Sequence, residues 1–116
     1  MPAFFLYGEW MPGGAGAHWL TGLKLRPAAV RGALWRGPFR RDVLVADDAG
    51  PFVNGAFVEV PAERVAVLDL AAGVGSLPIR RMKVPVVVSL QTHAAETWVL
   101  DRARGKLAGF RPPRSG

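Results

Sequence analysis

One stretch of this chain, "PAERVAVLDLAAG" from Pro61 to Gly73, is the only one long and uninterrupted enough to hold a helix of several turns. The chain has 14 glycines and 10 prolines among its 116 residues, and outside this stretch they cut the sequence into short pieces; neither residue sits in a helix interior without cost. Pro61 suits a first helical position and Glu63 complements the positive end of the helix dipole. Val65, Leu68 and Ala72 recur on one face, and Gly73 can take the left-handed conformation that ends a helix. What remains must be turns and short strands. A chain of this length forms about one domain, burying close to two thirds of its extended surface around a single core.

Ala3 to Tyr7 reads as a buried strand, apolar on both faces and ended by Gly8. "MPGGAG" cannot hold a helix, whereas "AHWLTGL" from Ala17 allows a turn or two before Gly22. "LKLRP" and "AAVRGALWRG" are divided by Pro27, and Gly32 marks a bend. "DVLVADDAG" and "NGAFVEV" pattern as two strands of a hairpin; "IRRMKVPVVVSL" and "ETWVLD" pattern as a second hairpin, turning at "THAA".

Charge and composition exclude several classes. The net charge is +6, but Arg102, Arg104, Lys106, Arg111 and Arg114 supply five of the 15 basic residues with no acidic residue among them. A nearly neutral domain over residues 1–101 is therefore expected to carry a basic C-terminal tail over 102–116. "GFRPPRSG" reads as a solvated, proline-punctuated end. No RNA-binding aromatic motif accompanies the charge, so nucleic acid is not the expected partner. With no cysteine and two isolated histidines, His18 and His93, no metal site is expected. The apolar run Ala3–Tyr7 has no preceding positive residue and is too short for a membrane span or a signal. The expected setting is cytoplasmic, with no membrane partner and no cofactor.

The stretch that points toward function is "FFLYGEWMPGGAGAHWL", residues 4–20, where the apolar strand runs into a glycine-rich turn. Such a turn can expose successive backbone amides as an anion site without any charged side chain. No Gly-Lys-Ser/Thr follows, so it is not a Walker loop; the glycine spacing and long helix of a dinucleotide fingerprint are also missing. By itself the turn could equally be plain punctuation between a strand and a loop.

The ordered set of segments resembles the γ-glutamylcyclotransferase-like (AIG2-like) family. The Tyr7-Gly8 turn and "GAHWL" are similar to its opening strand, Tyr-Gly-Ser/Thr-Leu turn and His-Trp pair. "AAVRGALWRG" resembles its Arg-Gly-x-Leu-Tyr strand, "VNGAFVEVPAERVAVLD" its Val-x-Gly-x-Val/Leu-Tyr-Glu-Val strand and Pro-started helix, and "IRRMKVPV" its Tyr-x-Arg-x-x-Val strand. The likeness covers about residues 3 to 100. It implies an α+β fold: a small closed mixed β-barrel with one main helix and a short second helix. It also implies a pocket at the end of the first strand. In active members the α-amine of a γ-glutamyl group attacks its own side-chain amide carbonyl, releasing 5-oxoproline and the amine it was joined to. A glutamate after the helix moves the proton. Carried over, Gly8, Glu9 and Trp10 would hold the substrate carboxylate, with Tyr7 shaping the pocket wall.

The departures fall on the chemistry. The glutamate of the family's Leu-Asp-x-x-Glu-Gly pattern corresponds to Ala72, or in a later placement to about Ser76, and no Asp or Glu lies between Asp69 and Glu96. Ile79 replaces a tyrosine, and Asp42-Val43 replace a Tyr-Pro pair. Conversely, Glu9 stands where the family has a small hydroxyl residue. Turned inward, Glu9 would repel a carboxylate, attract an amine or act as a displaced base; turned outward, it is a solvated loop residue. His18 suits packing or capping, His93 the hairpin turn, and Asp69 local hydrogen bonding. Arg80 and Arg81 alternate across a strand, and Trp10, Trp19, Trp35 and Trp98 are mostly core, with Trp10 bordering the pocket. The expected function is a pseudoenzyme that keeps a pocket for an amino-acid-like or carboxylate ligand. Two alternatives stand beside it: an active γ-glutamyl-amine cyclotransferase with a relocated base, Glu9, and an interaction module using its basic tail.

Overall fold

A computed structural model describes residues 1–38 and 41–113. Six strands and two short α-helices follow in the order β1 (Ala3–Leu6), β2 (Arg26–Arg36), β3 (Asp42–Ala46), β4 (Phe52–Glu59), α1 (Val65–Ala72), β5 (Ile79–Val88), β6 (Gln91–Leu100) and α2 (Arg102–Leu107). Single 3-10 turns at Gly8–Trp10, Ala17–Leu20 and Ala62–Arg64 fill the connections. The main helix stops where the sequence places its stop: Gly73 has φ +102° and its N–H donates to the carbonyls of Asp69 and Leu70.

The strands close into a barrel. Neighbours run β1–β4–β2–β3–β6, and β6 returns to β1. The β1–β4, β4–β2 and β2–β3 pairs are antiparallel, while β3–β6 and β6–β1 are parallel, so the five-stranded ring is mixed. β5 leans on the ring, pairing along its length with β6 and meeting β2 only at Ala29 and Val87.

Closure depends on β2. Pro27 does not divide it: the strand is continuous, pairing with β4 from Arg26 to Arg31 and with β3 from Gly32 onward. Gly32 is the transfer point, where a Cβ would lie 2.4 Å from the Val45 carbonyl oxygen. Consequently β3 and β4 flank β2 instead of pairing with each other, which corrects the expected first hairpin. The second hairpin exists, but it turns at Ser89-Leu90, both with positive φ (49° and 67°), and "THAA" lies within β6. His93 is therefore a strand residue, its ring 5.6 Å from that of Phe57.

Strand alternation produces two apolar clusters. Phe5, Val30, Leu44, Val84, Val86 and Val99 from the strands, with Tyr7 just after β1, belong to one that fills the barrel. Phe4, Leu6, Val43, Val45, Trp98 and Leu100 face the other way, where Leu68 and Ala72 of α1, Trp10, Leu20 and Phe110 cover them. Trp19, by contrast with the other tryptophans, is 38% exposed.

The C-terminal segment departs from the solvated end expected of it. Asp101 caps α2 by accepting the Arg104 N–H at 2.9 Å. Phe110 is 1% exposed, seated against Gly37, and Arg36 and Arg111 exchange backbone hydrogen bonds at 2.9 Å. The segment is docked through Arg111; Arg114 and the two residues after it lie outside the described residues.

Candidate functional site

The strand-turn junction is built by β1 releasing into a 3-10 turn. Gly8 takes φ +57°, a left-handed conformation open to glycine at little cost. Met11 N–H closes the turn on the Gly8 carbonyl at 3.1 Å, and Trp10 N–H donates to the Tyr7 carbonyl at 3.2 Å. The amides of Gly8 and Glu9, at the start of the turn, have no partner inside it. Trp10, expected to offer its amide to a carboxylate, spends it on the turn.

The glycines that follow serve the chain itself. Gly14 N–H donates to Met11 and Gly16 N–H to the Glu9 carbonyl at 2.8 Å. A Cβ on Gly14 would fall 2.2 Å from that same Glu9 oxygen, so the loop folds directly over Glu9. The close approach requires glycine and leaves no cradle for an external anion in that part of the loop.

Eight positions singled out in the sequence converge here. Tyr7, Glu9, Trp10, Asp42, Val43, Ala72, Ile79 and Trp98 line a single pit together with Arg41. Its volume is about 10 Å³, room for one water and far below the few hundred Å³ of an ordinary ligand pocket. Two contacts fill it. The Trp10 ring stacks on Trp98 with centroids 5.1 Å apart, and Arg41 reaches across, donating from Nη2 to the Ala71 carbonyl at 2.8 Å and standing 3.6 Å from Glu9 Oε1. The pocket expected at this place is thus closed in this structure.

Each polar group in the pit has an occupation. Glu9, with its side chain 39% exposed, faces Arg41 at the rim. Asp42 pairs with Arg36 at 3.2 Å. Tyr7 Oη donates to the Trp98 carbonyl at 2.6 Å and accepts the Leu44 N–H at 3.0 Å, riveting β1 to β6 and β3. Burial, chiefly, pushes the Tyr7 phenol well above the ordinary tyrosine range. Its proton is committed to the fold, so Tyr7 both lines the pit and ties the strands together beneath it.

The neighbouring acids are also structural. Asp69 accepts Trp98 Nε1–H at 2.8 Å and pairs with Arg81 at 3.1 Å, and Arg81 stands 3.4 Å from Glu96. His18 Nδ1 lies 3.0 Å from the Ala15 carbonyl, a turn contact away from the pit. Ala72 is buried and apolar where the related pattern has a proton-transferring glutamate. Arg41 is the residue that sequence reasoning missed: adjacent to Asp42, it is 32 positions from Glu9 in the chain, and no local spacing joins the two. Among the described residues no group of three His, Asp or Glu side chains could hold a metal ion.

No family model matches this chain, and no curated protein sequence matches it. Solved structures do. YkqA from Bacillus subtilis superposes with a TM-score of 0.70 at 16% identity over 86% of this chain, which spans only 36% of that protein. An AIG2-like protein from Mus musculus superposes with a TM-score of 0.69 at 18% identity, over 90% of this chain and 78% of the mouse chain. A γ-glutamyl cyclotransferase gives 0.65 at 11% identity, over 96% of this chain and 69% of its own. The closed mixed barrel with its one main helix is the γ-glutamylcyclotransferase-like fold.

Proposed function

We propose that this protein is a non-catalytic representative of its fold, in which the turn after β1 serves to bind a small carboxylate or amino-acid-like ligand. The observation that carries the reading is the pairing of Ala72 with Arg41 in one pit: the position of the expected proton carrier is a methyl group, while a guanidinium stands beside the turn. Cyclisation of a γ-glutamyl group requires a base for the attacking amine and an acid for the leaving nitrogen. A methyl group supplies neither. A carboxylate, however, is well met by a guanidinium with turn amides nearby.

Binding at this site requires Arg41 to exchange Glu9 for the ligand. The half-exposed Glu9–Arg41 contact is of the kind worth at most about 1 kcal/mol, so a ligand carboxylate can displace it. No cofactor is called for, and a cytoplasmic setting suits a chain without cysteine. No helix in the described residues is long and apolar enough to cross a membrane.

The test combines turnover with mapping. Over a panel of γ-glutamyl amino acids and amines, no 5-oxoproline is expected. Glutamate and 5-oxoproline should instead shift the amide resonances of Gly8 and Glu9 saturably, and Arg41→Ala should weaken that binding at least tenfold. Release of 5-oxoproline that disappears in Glu9→Gln would overturn the reading and make Glu9 a relocated catalytic base.

A further inference from the structure

A departure from barrel regularity lies elsewhere. β2 and β5 pair only at Ala29 and Val87. Beyond that bridge β2 transfers to β3 at Gly32, and the strands part around a cleft of about 400 Å³. This volume lies within the range of small-molecule sites, and the mouth of a β-barrel is a usual place for one. The cleft shares no lining residue with the pit. β3 lines the pit with Asp42 and Val43 and the cleft with Ala46; β5 lines the pit with Ile79 and the cleft with Val84, Pro85 and Val87. Six residue steps of strand, about 20 Å, separate Ile79 from Pro85 along β5.

The lining has a definite chemistry. Val30 and Val84 are buried members of the barrel core, and Phe52, 50% exposed, forms an apolar side wall. Two opposite charges stand on the rim, Arg31 and Asp48. Arg31 is held in place: its Nη1 donates to the Gly50 carbonyl at 2.9 Å and its guanidinium lies 4.2 Å from the Phe52 ring centroid. That leaves further N–H donors of the fork for a carboxylate. The β3–β4 turn that carries Asp48 is fixed by Asp47, whose Oδ1 accepts the Ala49 N–H at 3.0 Å while its own N–H donates to the Arg31 carbonyl at 3.2 Å. Arg31 and Asp48 thus sit on one braced unit without forming an ion pair with each other.

We propose that this cleft is a second ligand site, for a small α-amino acid with an apolar side chain. Arg31 receives the α-carboxylate, Asp48 the α-ammonium group, and the apolar walls of Val30, Phe52, Val84 and Val87 the side chain. Neither charge alone accounts for the arrangement: a cation over an aromatic ring would suffice for a fatty carboxylate, but Asp48 would repel one. A zwitterion satisfies both rim charges at once. The site does not depend on the reading of the pit, with which it has no residue in common.

The test is an amide-resonance titration of the full chain with L-leucine. 4-Methylpentanoate, which lacks the amine, isoamylamine, which lacks the carboxylate, and L-glutamate, whose side chain is charged, run beside it. Leucine should produce saturable shifts at Ala46, Asp48, Phe52 and Thr92, with each comparison compound at least tenfold weaker there. Arg31→Gln and Asp48→Asn should each weaken leucine binding at least tenfold. Asp48 is exposed at a turn tip, so its amide variant remains informative even where Arg31→Gln perturbs the fold. Absence of saturable shifts with leucine, shifts confined to Gly8–Trp10, or equal binding by the one-charge compounds would each overturn the proposal.

Discussion

Tyr7 shows how one side chain can line a pit and cross-tie strands at once. It is the only tyrosine of the chain, and both roles of its hydroxyl are taken by backbone groups of other strands. Tyr7→Phe would leave a buried carbonyl and a buried N–H unpaired, so about 2 kcal/mol of stability should be lost in urea unfolding at neutral pH. The pH dependence has a fixed sign. An unfolded tyrosine ionises near pH 10, whereas burial holds Tyr7 protonated above that in the native state. The native chain then binds the extra proton, so this contribution is present below pH 10 and stability falls as pH rises beyond it. Tyrosinate absorbance should accordingly appear only as the chain unfolds, in step with the loss of circular dichroism. A second prediction concerns Ala72→Glu. Because Trp10 and Arg41 fill the pit, a glutamate there should cost on the order of 3 kcal/mol in urea unfolding and yield no 5-oxoproline. The sequence placed Tyr7, Glu9, Trp10, Ala72 and Ile79 around one site by matching ordered motifs. It could not supply Arg41, the residue before β3, which is 32 positions from Glu9 and meets it only in the fold.

At the scale of elements, local chemistry predicted what local chemistry controls. Helix α1 ends at Gly73 because a left-handed residue is needed there, and β1 ends before Gly8 for the same reason. The β5–β6 turn defied that logic: Ser89 and Leu90 both adopt left-handed conformations that ordinary side chains resist. Pairing from Ile79–Leu100 to Val88–Gln91 fixes the register and imposes the turn on unsuitable residues. Replacing Ser89-Leu90 by Asn-Gly should therefore raise stability by about 1 kcal/mol, read as a higher thermal midpoint with an unchanged amide spectrum elsewhere. The basic C-terminal segment departs from its local chemistry in the opposite sense. Its prolines and arginines read as solvated, yet Phe110 anchors it beside Gly37 among core residues that include Trp35 and Val43. Phe110→Ala should cost about 3 to 4 kcal/mol in urea unfolding, and a solvated segment would show no such loss.

For the whole molecule, the consequence of a shared core is cooperativity. Trp10, Trp35 and Trp98 all belong to the cluster that α1 and Phe110 complete. Tryptophan fluorescence and far-ultraviolet circular dichroism should give coincident urea transitions; an earlier fluorescence transition would show that the outer layer melts separately from the barrel. The sequence by itself determined that strand residues alternate between two apolar faces, because strands bury alternate residues whatever their partners, and it determined the main helix and the absence of a carboxylate at position 72. Strand partnership was decided only in three dimensions. β3 and β4 are neighbours in sequence, but β2 is long enough to pair with both and bends at Gly32 to do so. The cleft beside Arg31 lies next to that bend. Alternation is a property of each strand alone, whereas closure, pocket volume and the meeting of distant charges depend on how all the strands share their hydrogen bonds.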